Sequence, residues 1–291
     1  MSEFQGFPVH HLSSKYLEMD CLATAGPRIV RLSYKGSGNL LAEVPGAAAE
    51  TPYGQFRYLG GHRLWHAPES LPRTYIPDGD GLSVKQTADG VLLEGALEEP
   101  TGIRKRIEVH LDPDQPKVTL VHSLQNEGLW DVELAPWAIS MLRLGGTAIL
   151  PIRLDDNPQG LLPNRRIALW PYTHLDDPRL KIEDEFIQLR GMPDLPPIKI
   201  GTFNPKGWTA YWLDGVLFRK SYAADGDHAH PDHDCNAEIY CGANFIELES
   251  LGPLSRLAVG ASVVHTETWE FYESLEQPFL SEKMMQFMKS K

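Results

Sequence analysis

The densest run of reactive side chains in this 291-residue sequence is Leu59-Gly60-Gly61-His62-Arg63-Leu64-Trp65-His66-Ala67-Pro68-Glu69. Paired glycines let the backbone approach a neighbour closely just before a stretch of polar and aromatic side chains. Arg63 has the fork to bond two sugar hydroxyls or a carboxylate, and Trp65 has the flat apolar face that stacks on a pyranose. The same residues would equally serve a β-bulge, with Arg63 in an ion pair and Trp65 in a core. A second group lies in Phe245-Ile246-Glu247-Leu248-Glu249-Ser250-Leu251-Gly252-Pro253-Leu254. With a strand's period of two, Ile246 and Leu248 share one face while Phe245, Glu247 and Glu249 share the other. Two carboxylates on one face repel, so one is raised toward the pKa that a general acid or base needs near neutrality. The competing reading is a solvated edge or an ion pair to a neighbouring strand.

A third group, Asp225 to Asp234, sets His228, His230 and His233 among four aspartates. Imidazole and carboxylate are competent ligands for zinc and other divalent ions. The segment nevertheless has the composition of an exposed acidic loop and lacks both the HExxH spacing and an EF-hand pattern. No metal and no cofactor are expected, and His230 or His233 as a proton donor is the more attractive role. His122 shares its parity with Val118, Leu120 and Leu124, which reads as a satisfied core histidine. Trp137, Trp170, Trp208, Trp212 and Trp269 could include a sugar platform, although large β-sandwiches also use tryptophan as core. No GxSxG, phosphate-cradling loop or GxGxxG stands in a suitable setting, which leaves a serine hydrolase, an NTPase or a dinucleotide enzyme without support.

The elements that must position these groups are short segments rich in Val, Ile, Leu and aromatic residues between turn signals, the pattern of an antiparallel all-β protein. Arg28 to Tyr34 and Leu40 to Val44 read as an opening strand pair. Leu82 to Thr87 and Val91 to Leu97 flank Asp89-Gly90, a dipeptide suited to the positive φ of a tight hairpin turn. Ile103 to Leu111 and Lys117 to Asn126 flank a loop with two prolines. Trp130 to Leu142, Arg165 to Trp170 and Leu180 to Leu189 read as further strands. Thr209 to Leu213 and Val216 to Tyr222 flank Asp214-Gly215. Asn244 to Ser250 and Ser262 to Tyr272 close the sheet, and 282–291 is a short, helix-prone tail. About a dozen or more strands with no linker, repeat or composition break favour one domain, 1–291, of stacked sheets; two smaller sandwiches split near Pro151 to Pro163 are the alternative.

Composition removes several classes of partner. A formal net charge of −12 disfavours a ligand held through phosphates by clustered Lys and Arg, so no nucleic-acid partner is expected. No stretch approaches the ~20 apolar residues that cross a bilayer, so no membrane association is expected. The amino-terminal segment carries acids and histidines where a secretory signal has a basic segment and an apolar run, which points to the cytoplasm. Cys21, Cys235 and Cys241 make an odd count without CxxC, and read as reduced thiols. The sequence does not indicate an oligomeric state.

The arrangement resembles the galactose-mutarotase-like, or aldose 1-epimerase-like, superfamily along nearly the whole chain, and within it a branch carrying a Gly-Gly-His-Arg-Leu-Trp segment. Arg28 to Tyr34 is similar to the opening strand, Gly60-Gly61-His62-Arg63 to the segment bearing a substrate-contacting arginine, and Val118 to Ser140 to the central strands. Ile246-Glu247-Leu248-Glu249-Ser250 is similar to the segment that delivers the catalytic glutamate. The resemblance implies one large antiparallel β-sandwich, a supersandwich, whose groove binds a small-molecule carbohydrate. It implies Glu249 as the base that takes the anomeric hydroxyl proton while an acid protonates the ring oxygen. Relatives place a histidine in the central strand, where this sequence reads Leu134-Ala135-Pro136-Trp137-Ala138. His230 or His62 would then supply the acid. The His230-Pro231-Asp232-His233 loop and Cys235-Asn236-Ala237-Glu238-Ile239-Tyr240 are similar to a Pro-Asp and Glu-x-Tyr pattern of that branch. The expected site is thus Glu249, His230 and His62 for proton transfer, with Arg63, Trp65, Glu247, Asp232 and Trp137 for substrate contact. The expected function is sugar binding with aldose-1-epimerase-like isomerisation. The alternatives are noncatalytic sugar sensing, and lyase or hydrolase chemistry on a sugar acid.

Overall fold

The computed structural model describes residues 2–152, 159–273 and 286. Its strands form an 11-stranded sheet, a 10-stranded sheet and a separate two-stranded hairpin, Glu43–Thr51 with Gly54–Gly60. Segments from before and after the Pro151 to Pro163 region enter both large sheets. The 11-stranded sheet sets His62–Ala67 and Val132–Leu142 beside Ile246–Leu251, Ala237–Cys241 and Ile198–Thr202. The 10-stranded sheet likewise sets Lys117–Asn126 beside Ser262–Glu273 and Val216–Tyr222. All pairings described here are antiparallel. The helix-prone tail expected over 282–291 lies, but for Gln286, outside the described residues.

The period of two builds the core. Along Ile103–Leu111 and Lys117–Asn126 every second residue is buried and its neighbours are half-buried, so one face meets the interior and the other meets water. The buried residues of both sheets merge in one apolar cluster that includes Leu32, Leu64, Ile107, Leu120, Leu142, Leu248 and Trp269. Three central strands of the 11-stranded sheet break the alternation: His62–Ala67 and Ile246–Leu251 are buried at every position, and Val132–Leu142 from Leu134 onward. Their inward face meets the other sheet. Their outward face is roofed in part by Phe56 of the two-stranded hairpin and by Tyr75, which pack on Trp65.

Glycine explains how the chain enters this layer. Gly60 and Gly61 have φ of +98° and +77°, and a Cβ on them would fall 2.0 Å from the Ala42 carbonyl oxygen and 2.1 Å from that of Ile29. Only glycine allows that turn and that approach. Asp214 and Gly215, with φ of 51° and 82°, form the two-residue turn expected between Trp208–Leu213 and Val216–Tyr222. Four expectations change. Neither Asp89 nor Gly90 has positive φ; Gly90 opens its strand, and its missing side chain admits the Val109 carbonyl, which a Cβ would meet at 1.8 Å. Arg28–Tyr34 pairs with Leu17–Leu22, not with residues 40–44, of which Leu41 makes an isolated bridge to Leu142 while Glu43 and Val44 open the two-stranded hairpin. Of Arg165 to Trp170, only Ala168–Leu169 is strand, and Leu180 to Leu189 is not one strand but a hairpin in which Leu180–Ile182 pairs with Phe186–Arg190.

Candidate functional site

Strand register assembles the site from five strands. One cross-strand row on the outward face runs Arg63, Ile139, Glu249, Glu238, Gly201. A parallel row runs Met141, Glu247, Tyr240, Lys199, and a third sets Trp65 beside Trp137. Above these rows lies a cavity of about 350 Å³, lined by Arg63, Trp65, Trp137, Lys199, Tyr240 and Glu247, with Tyr58, Glu69, Tyr75, Tyr172 and Phe245 at its walls. That size and its aromatic lining suit a small ligand.

The charges in the floor are paired. Arg63 donates from Nη2 to Glu247 Oε1 at 3.1 Å and stacks over Trp65, its guanidinium carbon 4.4 Å from the ring centre. The Lys199 ammonium sits 2.7 Å from Glu238 Oε2 and 2.9 Å from Glu249 Oε2, between the rings of Trp137 and Trp170 at 4.8 and 4.7 Å. The Trp137 indole N–H donates to Glu249 Oε2 at 2.7 Å. Three carboxyl groups therefore share two cations. Arg63 Nε and Nη1 and Glu249 Oε1 are buried with no hydrogen-bond partner among the described residues.

The electrostatics follow from burial. Desolvation pushes Glu247 up to about 7 against the pull of Arg63. It pushes Glu238 well above the carboxylate range, more strongly than Lys199 pulls it down. Burial alone would lower Lys199, but Glu238 and Glu249 hold it well above the ordinary lysine value. Lys199 is accordingly an ammonium at neutral pH and not a free amine.

The structure brings Arg63, Trp65, Trp137 and Glu247 together around the cavity. Glu249 lies in the same floor but is fully buried, enclosed by Lys199 and Trp137. His62 occupies the opposite face of its strand, because residues 62 and 63 point to opposite sides of the sheet. His230 and Asp232 lie on a separate loop in which Asp232, His233 and Asp234 all have positive φ. The His230 ring is buried against Phe203, 3.7 Å from Asp234 Oδ1. Sequence reasoning did not select Lys199 or Tyr172. Lys199 stands in the alternating Ile198-Lys199-Ile200, a pattern shared by any half-exposed strand. Glu238 and Tyr240 carried a signal, the Glu-x-Tyr spacing, that puts both on one strand face.

Beneath the floor His62 joins a polar network between the sheets. His122 Nδ1–H donates to the His265 carbonyl at 2.9 Å, so His122 Nε2 accepts from His62 Nε2–H at 2.8 Å, and His62 Nδ1 accepts from the Ser140 hydroxyl at 2.8 Å. The fully buried Lys220 ammonium meets Glu267 Oε1 at 2.8 Å, Ser140 Oγ at 3.1 Å and the Leu248 carbonyl at 3.1 Å. His122 is thus the satisfied core histidine expected. His62, His122 and Glu267 could each turn one ligand atom to a common ion, these atoms lying within 4.8 Å of one another. Here, however, Lys220 already supplies the positive charge on Glu267.

Among known proteins no family model matches the chain, and no curated protein matches its sequence. Solved structures do. A galactose mutarotase-like protein from Lactobacillus casei superposes with a TM-score of 0.57 at 10% identity, over 91% of this chain and all of that one. The chain has the galactose-mutarotase-like fold. Slr1438 of Synechocystis gives 0.57 at 12% identity over 95% and 99% of the two chains. A candidate aldose 1-epimerase of Escherichia coli K12 gives 0.53 at 14% over 92% and 100%. No helix among the described residues is long and apolar enough to cross a membrane.

Proposed function

We propose that this groove binds a monosaccharide and interconverts its anomers. The observation that carries the reading is the lining of one cavity by aromatic rings, Trp65, Tyr75, Trp137, Tyr172 and Tyr240, around the charged floor of Arg63, Lys199 and Glu247. Rings cover the apolar face of a pyranose, and paired charges with spare donors and acceptors bond its hydroxyls. The mutarotase-like fold of the solved neighbours supports the same reading.

Within the groove, Glu247 is the better placed base. It lines the cavity, whereas Glu249 is spent on Lys199 and Trp137. A group titrating at about 7 also has the driving force that proton transfer at neutrality needs. Glu247 takes the proton of the anomeric hydroxyl, the C1–O5 bond breaks toward the ring oxygen, and rotation about C1–C2 precedes reclosure. Exchange NMR of free aldoses with purified protein tests this: anomer interconversion above the spontaneous rate, and its loss in Glu247→Gln with binding kept, is expected. A panel of sugars that bind without faster exchange would remove the catalytic part. Noncatalytic sugar binding is the second reading, favoured by the absence of a histidine from the described lining of the cavity.

A further inference from the structure

We infer that Lys199 is the proton donor to the sugar's ring oxygen and that Glu238, acting through Lys199, is the carboxyl that resupplies it. The inference rests on the reading of the groove as an epimerase site and names the acid which that reading lacks.

The geometry carries it. Lys199 is the one member of the Glu238–Lys199–Glu249 group that lines the cavity. Its Cα pairs with that of Tyr240, which in turn pairs with Glu247. Lys199 and Glu247 therefore lie two strands apart, about 10 Å between backbones, with their side chains on one face. From strands that far apart the two side chains reach in from either side of the anomeric centre, where O1 and O5 are both bonded to C1. Behind Lys199, Glu238 is fully buried beside Gly201, where a Cβ would come within 2.8 Å of Cys235 Sγ and 3.3 Å of the Trp170 ring. The glycine leaves room for these groups, which close Glu238 off from water. The only cation within reach of Glu238 among the described residues is Lys199, and Lys199 already balances Glu249. Two cations cannot neutralise three enclosed carboxylates; of the two that share Lys199, Glu249 also accepts from the Trp137 N–H, whereas neither Glu238 oxygen has a well-aligned hydrogen bond among the described residues, so Glu238 is the one that keeps its proton. The upward shift of Glu238 agrees with that count.

The step balances. As Glu247 accepts the O1 proton, the O1–H electron pair forms the C1=O1 double bond and the C1–O5 pair moves to O5. O5 takes a proton from the Lys199 ammonium, and the resulting amine takes the Glu238 proton at once. Reclosure on the other face of C1 runs the same transfers backward, so no proton is gained or lost over the cycle. Because the amine exists only in passing, Lys199 does not condense with the open-chain aldehyde.

Three variants of the full chain test this: Glu238→Gln, Lys199→Met and Lys199→Arg. Arginine keeps a cation between Glu238 and Glu249 but does not release a proton, so it separates proton transfer from charge balance should Lys199→Met fail to fold. Glu238→Gln and Lys199→Arg are each expected to slow anomer exchange by about a hundredfold, with sugar affinity changed little. Glu238→Gln is also expected to shift the alkaline limb of the pH profile from the titration of Glu238 to that of Lys199, which a purely structural role would not do. Borohydride added with the sugar is expected to leave Lys199 unmodified. Wild-type exchange with unaffected Glu238→Gln and Lys199→Arg overturns the inference while sparing the epimerase reading, as does a reduced sugar adduct on Lys199. Absence of wild-type exchange overturns both.

Discussion

Lowering the pH from 7 to 5 is expected to destabilise the fold through the histidines buried between the sheets. Burial holds His265 down to about 3, despite the attraction of Glu267. In the unfolded chain the same ring titrates near 6.5. Below that value the unfolded state binds a proton that the folded state refuses, so stability present above pH 6.5 is lost as the pH falls toward 3. At pH 5 the unfolded ring is almost fully protonated, which gives His265 alone a cost of about 2 kcal/mol relative to pH 7. His62, His66 and His122 are also lowered by burial and add to the loss in the same direction. Glu267, held below the carboxylate range by Lys220 against its own desolvation, extends the loss below pH 4.5. Urea unfolding followed by tryptophan fluorescence at pH 7, 6 and 5 measures this directly. Stability falling by about 2 kcal/mol or more is expected, with a smaller fall in His265→Gln. A flat profile between pH 7 and 5 would refute the burial argument, because four neutral buried imidazoles cannot coexist with it.

Three further outcomes follow from particular contacts. Lys220→Met strands the fully buried Glu267 and should cost about 3–5 kcal/mol; the double variant with Glu267→Gln should recover much of it in the same urea titration. Gly61→Ala puts a Cβ against the Ile29 carbonyl, whereas Gly46, with φ of +75°, has nothing within 4 Å. Gly46→Ala should therefore cost only the left-handed backbone, about 1–2 kcal/mol, and Gly61→Ala clearly more by thermal melting. Sugar exchange should show an acid limb with a midpoint near the Glu247 value of about 7, because the base works only when ionised; a pH–rate profile with no limb there would remove Glu247 from that role.

The sequence was legible where one face of a strand meets water. Ile103–Leu111 and Lys117–Asn126 alternate cleanly, and both were readable as strands with their bounds. It was least legible where a strand is buried on both faces, because the alternation then no longer separates inside from outside. His62–Ala67 and Ile246–Leu251 are such strands, and each carries polar groups on both sides. Parity alone put Glu247 and Glu249 on one face and Ile246 and Leu248 on the other, which the structure reproduces. It could not say that His62 faces an inner network while Arg63 faces the groove, since nothing local marks which side carries the cavity. Lys199 and Glu238 become partners only through register, across sequence separated by the Trp208–Leu213 and Val216–Tyr222 hairpin.

The two polar layers on this sheet are mechanically joined. Lys220 donates to the carbonyl of Leu248, the residue between Glu247 and Glu249, and its bond to Ser140 reaches the strand that carries Trp137 and Ile139. An ammonium in the opposing sheet thus grips, from below, the two strands whose upper faces hold a carboxylate pair and its aromatic partner. Apolar packing would fix the distance between the sheets but permits sliding along the strand, and directional bonds to one carbonyl and one hydroxyl do not. On this argument Lys220→Met with Glu267→Gln, even when stable, should loosen the spacing of Arg63, Glu247 and Lys199 and weaken sugar binding. Wild-type affinity in that stable double variant, measured by titration calorimetry, would show that the groove keeps its geometry without the layer below it.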